Sequence, residues 1–95
     1  MNDRGAPFYF ANLCADVLRC ALASESGDAR EYQASLSRAY DTLRRIESEN
    51  RPEAHEEGLL LLRGLEYARA SHTLPAFREY LNALTEPFAI RLAFS

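Results

Sequence analysis

The chain has 95 residues, 47% of them hydrophobic, and a formal net charge of -3; its 11 basic residues are all arginine. That length holds one domain, residues 1–95, and not two. The composition excludes intrinsic disorder, and scattered arginines in an acidic chain exclude an electrostatic grip on nucleic acid. No apolar run reaches the length of a membrane span. The N-terminal MNDRGAPFYF lacks the apolar core of a signal peptide, so a cytoplasmic location is expected. Arginine without lysine points to a GC-rich bacterial genome.

Pro7 can open a first helix, because its missing N–H is not needed there. Phe10, Cys14, Val17 and Ala21 follow at 4-3-4 spacing, widened by Leu13, Leu18 and Leu22. Gly27 offers a left-handed stop after Ser24–Ser26. On one helix Cys14 and Cys20 stand about 9 Å apart, beyond disulfide reach. Cys14 is expected in the core and Cys20 at its edge. Asp28 with Glu31 reads as a capping box. It opens a second helix with the seam Tyr32, Leu36, Ala39, Leu43 and Ile46, and Tyr40 beside it. The segment Ser48–Pro52 breaks the pattern, since residues before proline avoid the helical region.

The third helix is apolar almost all round: Leu59, Leu60, Leu61, Leu62, Leu65, Tyr67 and Ala68. Such a helix is normally central. Glu53, Glu56 and Glu57 crowd its first turns, where the helix dipole favours acids. A polar turn at Ser71, His72 and Thr73 leads to a fourth helix striped by Phe77, Leu81, Leu84 and Phe88. The tail FAIRLAFS is apolar on all sides. It is expected to form a short fifth helix begun by Pro87 and to dock on the bundle or on a neighbour.

The stretch from Gly58 to Pro87 resembles a tetratricopeptide repeat. Leu60, Gly64 and Tyr67 match the first helix of that motif, and Ala76, Tyr80, Ala83 and Pro87 match its second. The resemblance implies that the small residues Gly64, Ala76 and Ala83 let two antiparallel helices approach closely. Arg63, Ser71 and Thr73 depart from the pattern. The first half carries at most a degenerate copy, offset by 44 residues from Gly27 to Ser71.

His55 and His72, the two histidines, have no metal-ligand spacing. No serine has a base at a recognisable distance. The expected architecture is therefore an all-α antiparallel bundle of four helices, two stacked hairpins, plus a short C-terminal helix. It is expected to be neither an enzyme nor a metal or cofactor protein. The resemblance implies a protein–protein interaction module, a small adaptor or chaperone holding a peptide or helix of a partner. Tyr32, Tyr40, Arg63 and Tyr67 are its candidate binding residues, because tyrosine and arginine are enriched at binding hot spots. The alternative is a homodimer that buries the apolar excess on a second copy.

Overall fold

A computed structural model describes the backbone of residues 5–93 and the side chains of residues 5 and 7–84. It contains four helices: α1 (Ala6–Ser26), α2 (Ala29–Ser48), α3 (Pro52–Ser71) and α4 (Leu74–Ala93). No strand occurs among the described residues. The chain is an all-α bundle. α1 packs most extensively on α2 and also touches α3 and α4; α2 meets α3, and α3 meets α4. α4 thus returns to α1 and closes the bundle in the order α1, α2, α3, α4. The α1–α3 diagonal is also in contact.

Local chemistry sets the helix ends. Gly27 is left-handed at φ 76°. Its N–H bonds the Ser24 carbonyl at 3.3 Å, and the Asp28 N–H bonds that of Ala23 at 2.8 Å. This pair of bonds is a Schellman stop. His72 repeats it at φ 61°, with its N–H on Arg69 and the Thr73 N–H on Ala68. The Asp28 carboxylate accepts from the Glu31 N–H at 3.0 Å. The reciprocal half of the capping box is not needed, because the Schellman bond already uses the Asp28 N–H. Asn50, at φ 59°, makes the third bend.

The core differs from the sequence expectation in which helix is central. That helix is α1: Leu13, Cys14, Val17, Cys20 and Ala21 are all buried. α3 buries one face only, through Gly58, Leu61, Leu62, Leu65 and Ala68. Four consecutive leucines turn through about 300° at 3.6 residues per turn, so they cannot all face inward. Cys20 is wholly buried rather than at the edge.

The small residues also separate. A Cβ on Gly58 would lie 2.6 Å from Leu43 Cδ1 and 2.8 Å from Leu13 Cδ2. This is the tightest contact among the glycines. A Cβ on Gly64 would meet the Phe77 ring at 3.1 Å, so α4 does rest on that position. Ala76 and Ala83, expected between helices, are exposed instead. Their side of α4 faces away from Leu74 and Leu81, which are buried.

Pro87 does not begin a fifth helix, for α4 runs unbroken to Ala93. A proline there forfeits one bond, to the carbonyl four residues back. The flanking segments Leu84–Glu86 and Phe88–Ala93 hold no glycine or second proline to stop the helix. The expected docking of Phe88, Ile90, Leu92 and Phe94 lies outside the described side chains.

Two glycine substitutions separate the contacts. Gly58→Ala gains about 1 kcal/mol of helix propensity but overpacks two buried leucines at about 1–3 kcal/mol, so urea denaturation should show a net loss. Gly64→Ala should keep most of its propensity gain of about 1 kcal/mol, because the half-buried Phe77 can give way. Ala76→Arg should change stability by no more than about 0.5 kcal/mol. A stabilised Gly58→Ala protein would mean that the α1–α3 diagonal is loose.

Candidate functional site

The four sequence candidates fall in three places. Tyr32 is buried at the first turn of α2. The Arg69 guanidinium, from α3, lies over its ring at 3.9 Å. The same guanidinium donates through Nε to Ser24 Oγ on α1 at 3.2 Å. Tyr32 therefore joins three helices and offers no free hydroxyphenyl face. Tyr40 is 39% exposed on α2. Arg63 and Tyr67 are brought together, one turn apart on the outward side of α3, and both are exposed.

Sequence reasoning placed Leu60 and Tyr80 inside the α3–α4 contact. Both stand outside it, at 55% and 56% exposed, and Tyr67 reaches 73%. The geometry connects them into one surface. Leu60 and Tyr67 are seven residues apart, two turns along one helix face. Gly64 lies between them, and the Phe77 ring covers it. The Tyr80 ring lies 6.4 Å from that of Phe77. The available signal was helical phase: Leu60 is two residues from buried Gly58, about 200° around the helix, and so faces outward.

A polar cleft of about 860 Å³ opens at the turn end of the bundle, lined by Ser24, Glu25, Glu66, Arg69, His72 and Pro75 among others. Its charges are engaged in tying helices together. Arg78 of α4 forks onto Glu25 of α1, Nε to Oε2 at 2.5 Å and Nη2 to Oε1 at 3.1 Å. Arg69 is held by Tyr32 and Ser24.

A second polar group crosses α1 and α2. Buried Asp16 accepts from Arg19 at 2.7 Å and lies 3.5 Å from Arg38 Nε. Arg38 also donates to Ser35 Oγ at 3.0 Å, and Ser35 donates to Glu31 Oε2 at 2.9 Å. Among the described residues every buried side-chain nitrogen and oxygen has a partner, and no group of three or more His, Cys, Asp and Glu side chains is placed to hold a metal ion. No described helix is long and apolar enough to cross a membrane.

The two thiols are free and buried. Burial pushes Cys14 up to about 12. Cys20 rises to about 11, chiefly by burial and then by the Asp16 carboxylate, with Arg38 opposing. The Cys20 thiol points its weak donor at the Tyr32 carbonyl, 3.9 Å away. Burial also raises the Tyr32 phenol, against the pull of Arg69.

Compared with family models, curated proteins and solved structures, the chain matches none.

All three raised groups hold their protons longer in the folded state than in the unfolded chain. Where the unfolded thiols have lost theirs, folding requires proton uptake. Stability is therefore complete below the ordinary thiol value of 9.0 and falls as pH rises through the folded values near 11 and 12. Urea melts at stepped pH should show this decline, and a thiol reagent at neutral pH should modify both cysteines only at the rate of unfolding. Rapid native labelling of either thiol would contradict the buried placement.

Proposed function

We propose that this chain is a protein–protein interaction module, a small non-catalytic adaptor, that binds through the outward face of α3 and the adjoining side of α4. One observation carries the reading. Leu60, Tyr67 and Tyr80 are each more than half exposed, and the Gly64–Phe77 contact links them into a single patch. Single exposed apolar residues are ordinary; a contiguous group with two tyrosines and an arginine has the composition of an interface centre. Arg63, in the middle of this face, makes no ion pair within the described residues, so its guanidinium is available to a partner.

Of the four sequence candidates, Arg63 and Tyr67 belong to this face. Tyr32 supports it indirectly, by fixing α3 through Arg69. Tyr40 contributes from neither α3 nor α4.

Light scattering behind size exclusion tests the reading. The expected wild-type mass is that of one chain, 10.7 kDa, at low and high concentration. Leu60→Asp with Tyr67→Asp should leave the melting temperature nearly unchanged, because exposed positions shift stability by about 0.5 kcal/mol or less. The same pair should reduce binding of an apolar dye. A dimer dissolved by these changes would make the occupant a second copy. A strong loss of fold in the double variant would mean that the face belongs to the core, ending the proposal.

A further inference from the structure

The charges around this face identify its partner. The inference rests on the reading of α3 and α4 as a docking surface. Glu56, Glu57 and Glu66 on α3 and Glu79 on α4 are all exposed and flank the apolar residues. None of the four makes an ion pair among the described residues. Elsewhere the pattern is the opposite: Arg19, Arg38, Arg44, Arg51 and Arg78 each have a carboxylate partner. With Arg63 as its one cation, the face carries four acids and one base, a net of -3. The whole chain also sums to -3, so this one face accounts for the entire net charge.

We infer that the face receives a basic amphipathic helix of another protein. Basic side chains would meet the unpaired glutamates, and an apolar stripe would cover Leu60, Tyr67 and Tyr80. Complementary charge speeds encounter and rejects wrong partners. A second copy is disfavoured for the same reason, since two-fold pairing sets one acidic face against another. An anionic membrane surface is repelled likewise. A helix fits better than an extended strand. Leu60 and Tyr67 repeat every two turns, as the anchors of a helix laid along them do, and no described residue offers a sheet edge for strand pairing.

The test uses two synthetic peptides of about 18 residues, long enough for five helical turns. Both carry the same leucine stripe; one has lysine at the other positions, the other glutamate. Each is titrated into isotopically labelled full-length protein and followed by NMR. The lysine peptide should bind roughly tenfold or more tighter than the glutamate peptide, in line with electrostatic complementarity. Its shift changes should centre on Leu60, Tyr67 and Tyr80. Raising salt from about 0.05 M to about 0.5 M should weaken it, as screening requires. Glu56→Gln with Glu57→Gln and Glu79→Gln should narrow the difference between the peptides several-fold, with no change in melting temperature. Equal binding of both peptides at this face would overturn the charge assignment and leave the docking face standing. Binding centred elsewhere, or binding of neither peptide, would overturn both. A dimer formed through this face would replace the basic helix with a second copy.

Discussion

The bundle depends on Gly58. There α3 comes so close to α1 and α2 that the δ-methyls of Leu13 and Leu43 occupy the space a side chain would need. A glycine in a helix interior costs about 1 kcal/mol against alanine. Interlocking with two buried leucines offsets that cost, because dense packing on the diagonal is worth more than the lost propensity. The contact also fixes rotation. With Gly58 turned inward, Leu61, Leu62 and Leu65 follow into the core. Leu60 is carried to the far side by the helical repeat, and Arg63 and Tyr67 with it. The same constraint that closes the core therefore makes the exposed face.

The turns give the molecule an internal correspondence. Gly27 and His72 are both left-handed and make the same pair of bonds to their helices. Stepping 45 residues from one to the other aligns Pro7 with Pro52 and Tyr32 with Phe77. It also aligns the inward residues: Leu13 with Gly58, Asp16 with Leu61, Val17 with Leu62, Cys20 with Leu65 and Ala23 with Ala68, all buried. Leu13 and Gly58, equivalent by position, meet each other across the diagonal. One side of such a meeting must be large and the other absent. His72 adopts a conformation that costs a non-glycine residue about 1 kcal/mol, held there by the bonds from its own N–H and that of Thr73.

Much of the fold was legible before any coordinates. Proline at helix starts, the Gly27 stop and the Asp28 cap are local signals, read over four or five residues, and they placed the first three helices. The seam of α2 was legible for the same reason: Tyr32, Ala39, Leu43 and Ile46 have polar residues around them, and all are buried. α3 was not. Leucine at 59, 60, 61 and 62 gives no contrast between faces, so phase had to come from Gly58, whose smallness alone does not tell a contact from a bend. Ala76 and Ala83 carry the same ambiguity, since a methyl group suits both a helix interface and open water. Pro87 misled in another way. It is a strong local break signal, but one missing bond does not outweigh a helix that continues on both sides. Of the four binding candidates, chosen by residue type, Tyr32 failed as a surface residue because type does not report burial.

The distribution of charge completes the link from fold to surface. Arg69 and Arg78 both reach from the second hairpin to the end of the first, one onto Tyr32 and Ser24, the other onto Glu25. Arg38 joins Asp16 across α1 and α2. The pairs that cross between helices thus lie at the turn end and along the α1–α2 seam. Those pairs are partly buried, and there charged hydrogen bonds gain from the lower dielectric. The acids of α3 and α4 that remain, Glu56, Glu57, Glu66 and Glu79, have no such task. Exposed and unpaired, they contribute little to folding and repel one another weakly across the face. A basic partner would turn that residual repulsion into attraction, which is why the part of the surface least involved in holding the bundle together is the part best suited to binding.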